Sequence, residues 1–250
     1  MSSVSFILHK PQLSENIGAC ARAIKNFNFN KLIVINPKPT FPNDKIVATS
    51  VGAKEIIKNC KVYENLESAI KNVDYLIATS SRFRNKNIKH IGLHELLKID
   101  FSKKIAFLFG SEASGLSNKE IVYANCTMQI PTNPNFKSLN LSHSVIIVAQ
   151  TVSSLIKLKK TNYKKSKKIK SASKKDIQAM INLCIKHLEN RNFFKPPEKK
   201  PIMLENLRSI FYKMQLSEKE TRILSSVFAS LAKKRSIDKM KSKFINPSIK

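Results

Sequence analysis

Arginine is rare in this chain: of 45 basic residues, 7 are Arg and 38 are Lys. Arg22 therefore stands out among the groups able to do chemistry. A planar guanidinium binds phosphate bidentately. A surface ion pair is its plainer role, with Glu15 or Glu112 as partner. Asn16 precedes it by six residues in a polar stretch, Ser14 to Arg22, that contains Gly18. Glycine is rarer still, five in 250 residues against a usual ~7%. Each glycine is thus expected where a side chain cannot fit. Gly110 and Gly115 bracket Ser111-Glu112-Ala113-Ser114 directly after the apolar run Ile105–Phe109. A loop so short of bulk, beyond the carboxyl end of a strand, can admit a flat ligand against its backbone. A tight strand-to-helix turn is the structural alternative. A third polar segment, Ile130 to Ser142, carries two prolines, Ser138 and Asn140, and places one of those two side chains at the start of a helix, where free N–H groups await an acceptor.

The elements needed to position these groups are legible. Val4–Leu8, Leu32–Ile35, Tyr75–Ala78 and Ile105–Phe109 read as buried strands, with Thr127–Ile130 closing the set. Asn16–Phe27, Lys45–Lys58, Asn65–Asn72, Leu93–Lys98, Asn118–Ala124 and the long Leu139–Lys159 read as helices. Alternation of the two predicts an α/β fold with a mainly parallel sheet and helices on both faces. Three further helices follow, Lys174–Asn190, Ile202–Lys213 and Ser217–Lys234, the last opened by a Ser217/Glu220 capping box. The expected domains are 1–159, a Lys-rich linker 160–173 and a helical extension 174–250, frayed after Arg235.

Formal net charge is +28. Residues 1–154 carry 19 basic and 10 acidic groups; residues 155–250 carry 26 and 7. Ten lysines and no acid lie from Lys157 to Lys175. Such a run repels itself and is expected to stay solvated. Near a polyanion it would release counterions and bind with strong salt dependence. RNA or DNA contact is one reading; a solvated linker in a composition rich in Lys, Asn and Ile is the other. No apolar run is read as approaching the ~18–20 residues that cross a bilayer, and no secretory signal is seen, so a cytoplasmic protein without membrane attachment is expected. Cys20, Cys60, Cys126 and Cys184 are scattered, with no CxxC pair and no clustered His. They read as reduced thiols and not as metal ligands. The P-loop and dinucleotide fingerprints are absent.

Taken in order, Asn16-Ile-Gly-Ala-Cys-Ala-Arg22, Phe109-Gly110-Ser-Glu112-Ala-Ser-Gly115-Leu-Ser-Asn118 and Ile130-Pro-Thr-Asn133-Pro-Asn-Phe-Lys-Ser138-Leu139-Asn140-Leu resemble the three motifs of the SPOUT-superfamily RNA 2′-O-methyltransferases. Within these the chain is most similar to the bacterial tRNA (cytidine/uridine-2′-O)-methyltransferases acting at position 32 of the anticodon loop. Thr79-Ser80-Ser81-Arg82 matches that group's T-S-A-R segment, with Ser81 in place of Ala. Ser111, where many relatives carry Pro, is a second departure. The resemblance covers Val4 to about Leu158 and resumes weakly in the tail.

It implies a C-terminal trefoil knot, an obligate homodimer, tRNA as partner without DNA, and S-adenosylmethionine (AdoMet) as cofactor without a metal. Cofactor contacts are implied at Thr79, Ser80, Ser81, Gly110, Ile130, Ser138, Leu139 and Asn140. Catalytic weight falls on Arg22, with Asn16 and Glu112 orienting it and Ser138 holding the ribose. A ribosomal-RNA 2′-O-methyltransferase of the same superfamily and a catalytically silent RNA-binding protein are the alternatives.

Overall fold

Residues of the central strands point alternately to two cores, as the period of two in a strand requires. In this computed structural model, which describes residues 4–81, 88–162 and 170–232, β1 (Val4–His9) is buried along its whole length. Phe6 and Leu8 enter one cluster and Ile7 the other; Phe107 and Phe109 oppose Ala106 and Leu108 in the same way. Helices therefore cover both faces of the sheet. The remaining strands are β2 (Leu32–Ile35), β3 (Lys61–Tyr63), β4 (Tyr75–Thr79), β5 (Lys89–Gly92), β6 (Ile105–Phe109) and β7 (Cys126–Gln129). Every pairing is parallel, in the order β3-β2-β1-β6-β4-β7-β5. Continuous apolar strands and parallel pairing go together because both faces are covered.

On the first face lie α1 (Ser14–Asn26), α2 (Asp44–Thr49), α3 (Lys54–Lys58) and α6 (Leu141–Asn162); on the second lie α4 (Leu66–Ile70) and α5 (Asn118–Ile121). The segment expected as one helix over Lys45–Lys58 is two, broken at Ser50–Ala53. Leu93–Lys98 is a 3₁₀ helix, and α6 continues past Lys159 to Asn162. By length and composition the stretch Leu141–Leu158 of α6 could cross a membrane. It is nonetheless interrupted by Ser, His, Gln and Thr, and its Val145, Val148, Ala149 and Val152 are in the core beside α1.

Three helices follow: α7 (Lys174–Glu189), α8 (Lys200–Lys213) and α9 (Glu218–Ala232). They build a small core of their own around Ile177, Met180, Ile181 and Tyr212. The Ser217/Glu220 box is present. The expectation of a solvated lysine run fails at Lys174, which is 1% exposed. Its ammonium donates to Asn125 Oδ1 at 2.6 Å and to the Tyr123 carbonyl at 3.2 Å, and sits 4.6 Å from the Tyr212 ring centre. Asn125 also donates to the Tyr212 carbonyl and accepts from the Leu76 amide. One Lys-Asn pair thus joins the sheet, α7 and α8. Burial lowers the Lys174 pKa to about 7, against the opposing pull of Cys126 and Asp74. Arg82, residues 163–169 of the lysine run and the tail after Arg235 lie outside the described residues.

Candidate functional site

Three loops at the carboxyl edge of the sheet meet around a cleft of about 530 Å³. They are the residues after β4, the β6–α5 loop and the segment between β7 and α6. Central strands β4, β6 and β7 are adjacent, so their ends converge although they are distant in sequence. Such edges are where open α/β sheets bind ligands.

The β6–α5 loop is closed on itself. The Gly115 amide donates to the Ser111 carbonyl at 2.9 Å, and the Ser111 and Ser114 hydroxyls are 2.8 Å apart. Gly110 is required there: a Cβ would lie 2.2 Å from the Gly115 carbonyl carbon and 2.4 Å from the Leu116 nitrogen. Gly115 itself has φ +66°, in the left-handed region.

Glu112, on the cleft wall, fixes the start of α1. That helix has Leu13 at its N-cap, whose side chain cannot cap it. The Glu112 carboxylate instead grips the chain as it enters the helix, taking the Gln12 amide at 2.8 Å, the Leu13 amide at 3.3 Å and the Asn16 side-chain amide at 2.8 Å. A carboxylate at a helix N-terminus also meets the positive end of its dipole. Asn16 in turn accepts from Asn140 Nδ2 at 3.0 Å. Asn140 Oδ1 accepts from the amide and hydroxyl of Ser142 at 2.8 and 2.7 Å. The helix α6 is therefore capped by Asn140, not by Ser138. One hydrogen-bonded chain, Glu112–Asn16–Asn140–Ser142, ties all three sequence segments together.

Of the residues singled out for the cofactor, Thr79, Ser80, Ser81, Gly110, Ile130, Ser138 and Leu139 line the cleft. Asn140 does not line it, being engaged with Asn16 and Ser142. Glu112 lines it as well. Arg22 is exposed on α1, outside the cleft of its own chain. Neither expected partner engages it: Glu15 is 3.6 Å from Lys45, and Glu112 is committed to the start of α1. Asn16 and Glu112 thus hold α1 in place and do not bond Arg22 directly. Sequence reasoning did not find Leu116, Met128 and Leu141 among the lining residues. Nothing in the type or spacing of these apolar residues distinguishes them from core residues.

The lining suits AdoMet. Ser and Thr hydroxyls and loop backbone offer partners for adenine and ribose, and Ile130, Leu139 and Leu141 offer an apolar wall. The volume falls within the roughly 300–1,000 Å³ usual for small-molecule sites. Cys20 is wholly buried and its pKa is raised by that burial, with a smaller push from Glu112.

This is an α/β protein with its ligand cleft built from loop backbone at the carboxyl edge of a parallel sheet. Residues 3–150 match the model of the SpoU rRNA methylase family, and the chain belongs to that family. It is an AdoMet-dependent RNA 2′-O-methyltransferase. The tRNA (cytidine-2′-O-)-methyltransferase TrmJ of Methanocaldococcus jannaschii is 30% identical over 230 residues, covering 90% of this chain and 98% of that one. The enzyme of the same name from Sulfolobus acidocaldarius is 38% identical over 152 residues, 58% of this chain, and the chain spans 63% of its length. The crystal structure of TrmJ from Z. mobilis superposes with a TM-score of 0.81 at 27% identity, covering 92% of this chain and 99% of that one.

Proposed function

We propose that this protein methylates a ribose 2′-hydroxyl of tRNA, at a cytidine or uridine at position 32 of the anticodon loop. The observation that carries this is the convergence of seven of the eight cofactor-type residues on one cleft, with Glu112 on its wall. Similarity to TrmJ enzymes along 90% of the chain, extension included, supports tRNA over ribosomal RNA. The ribosomal reading retains one specific point in its favour, the description of the matching family model.

Bound AdoMet supplies an activated methyl on a sulfonium. Thr79, Ser80, Ser81, Gly110, Ile130, Ser138 and Leu139 would hold it, and Asn140 would fix the loop that carries the last two. The rest of the task is to place a ribose oxygen and find its proton a destination. Positioning in favourable cases supplies up to roughly 7–11 kcal/mol. Arg22 cannot be the base, because guanidinium stays protonated, with pKa above about 12. It clamps the adjacent phosphate and stabilises the developing alkoxide, while phosphate or water takes the proton. Ser138 holds the ribose. Glu112 and Asn16 position Arg22 through α1.

Arg22 works across a homodimer, one protomer's guanidinium completing its partner's cleft. Its exposure and its lack of any partner among the described residues support this arrangement. We read the C-terminal part of the sheet as a trefoil knot, supported by β7 lying between β4 and β5, both earlier in the chain. Residues 1–159 form the methyltransferase domain, 160–173 the linker and 174–250 a tRNA-binding extension. The protein acts in the cytoplasm, without membrane or DNA. Arg22→Ala should remove most turnover and leave AdoMet affinity unchanged by calorimetry; an active variant would contradict the role. Arg22→Lys separates fork geometry from charge. A silent RNA-binding protein would bind no AdoMet at all.

A further inference from the structure

We propose that a second cleft, between the sheet and α8, is a subsite for one phosphate-bearing nucleotide unit. It holds about 720 Å³ and shares no lining residue with the cofactor cleft. It lies at the carboxyl ends of β1, β2 and β3, the other half of the same sheet edge, with α8 as its far wall.

Three independent features point to a ligand. The first is a desolvated donor. Arg208, on α8, lines the cleft, and its Nε is buried with no hydrogen-bond partner among the described residues. Leaving such a group unsatisfied costs roughly 1–3 kcal/mol, and buried polar atoms in native structures are nearly always paired. Nε is closed to solvent, so an acceptor in the cleft removes that cost by drawing the Arg208 guanidinium toward it. The second is local backbone strain, at two of the five non-glycine residues with positive φ among the described residues. Lys10 and Asn36, the residues directly after β1 and β2, are non-glycine residues with φ of +53° and +43°. Both line the cleft, and both are held there by ladder-like bonds, from the Lys10 amide to Ile35 and from the Asn36 amide to Tyr63. Strained residues of this kind collect at ligand sites.

The third is the mixture of charge, which selects the ligand. Lys10 and Lys119 are exposed at the cleft, with Arg208 deeper. Two carboxylates are already employed: Glu120 accepts the Ser117 amide and Glu67 the Tyr123 hydroxyl. Glu64 and Glu205 also line the cleft, and no hydrogen bond or ion pair engages either among the described residues. A bare phosphate would meet repulsion from these two acids, and a simple amine would meet it from the cations. A nucleotide satisfies both: its phosphate faces Lys10, Lys119 and Arg208, while an exocyclic amino group of its base donates to Glu64 or Glu205. Burial keeps the His9 pKa below its usual value, against the pull of Glu120 and Glu67. An unstacked base read on its edge is the usual mode of single-stranded RNA recognition.

The nucleotide could come from the RNA substrate or be free in solution. The RNA source rests on the methyltransferase reading above; the free source does not. The test uses the full chain with the cofactor cleft saturated by S-adenosylhomocysteine for binding, and with AdoMet for turnover. Lys119→Ala, an exposed position, and Arg208→Gln are compared with the wild type. An RNA nucleotide in the cleft raises KM for tRNA, roughly threefold for Lys119→Ala and tenfold for Arg208→Gln, with kcat and AdoMet affinity within about twofold. Photo-crosslinking of 4-thiouridine-substituted tRNA then labels peptides containing Lys119 or Arg208. A free nucleotide instead gives saturable binding of cytidine monophosphate that Arg208→Gln abolishes, with KM for tRNA unmoved. Unchanged KM in both variants, no crosslink and no binding of cytidine monophosphate overturn the proposal. A wild type that methylates no tRNA but still binds cytidine monophosphate in this cleft sinks the tRNA reading and leaves the subsite standing.

Discussion

Gly110→Ala is the sharpest probe of how the cofactor cleft is built. The new Cβ would sit 2.2 Å from the Gly115 carbonyl carbon, where ordinary contact begins near 3.4 Å. The two backbone strands of the loop would have to part by about 1.2 Å, the difference between those distances. Both obstructing atoms are main chain, so no side chain can swing away. Parting the strands breaks the Gly115–Ser111 bond and moves Glu112, which lies between them and holds the start of α1. Overpacking of this kind costs roughly 1–3 kcal/mol or more. AdoMet affinity should fall at least tenfold, about 1.4 kcal/mol, by calorimetric titration, with a lower melting temperature. Gly115→Ala is the matched comparison. Its Cβ meets nothing within 4 Å and pays only for φ +66°, about 1–2 kcal/mol. It should lower the melting temperature modestly and keep affinity within about threefold. Equal behaviour of the two variants, or wild-type affinity in Gly110→Ala, would refute the reasoning.

Glu112→Gln keeps the shape but exchanges charge-assisted bonds at the start of α1 for neutral ones. Charge-assisted bonds are about twice as strong, so a loss of about 1–2 kcal/mol in denaturant unfolding is expected, with turnover reduced more than AdoMet affinity. Lys174 titrates near pH 7 when folded and at its ordinary 10.5 when unfolded. The unfolded chain therefore binds more protons above pH 7, and stability rises with pH. Between pH 7 and 8.5 the gain from this group is about 1.5 kcal/mol. Above that window Cys20, Cys60 and Cys126, whose pKa values burial raises, oppose it. Lys174→Met should flatten the slope measured by urea unfolding at the two pH values; an unchanged slope would assign it elsewhere. Replacing Lys164, Lys165, Lys167 and Lys168 with Gln should weaken tRNA binding and lessen its salt dependence. Equal salt slopes would remove the linker from the interface.

The central strands were plain in the sequence because Val4–Leu8 and Ile105–Phe109 are apolar on both faces. The edge strands β3 and β5 were not: Lys61-Val-Tyr and Lys89-His-Ile-Gly are short and partly exposed. Hydrophobic pattern has little to mark at an edge. The cofactor cleft was legible through scarcity, since so few glycines leave Gly110 and Gly115 conspicuous. Lys174 was hidden for the opposite reason: in a run of ten lysines nothing distinguishes the one that packs under Tyr212. The second cleft draws on residues from His9 to Arg208, and no local spacing connects them. Nor could sequence disclose that Glu112 holds the entry to α1, a contact spanning about a hundred positions.

The most direct test incubates purified protein with unmodified tRNA and AdoMet carrying a labelled methyl group, then digests one portion of the RNA to nucleosides and another to oligonucleotides for mass spectrometry. The expected product is 2′-O-methylcytidine or 2′-O-methyluridine from position 32, absent with Arg22→Ala. Label on a base, label at another position, or none would contradict the assignment.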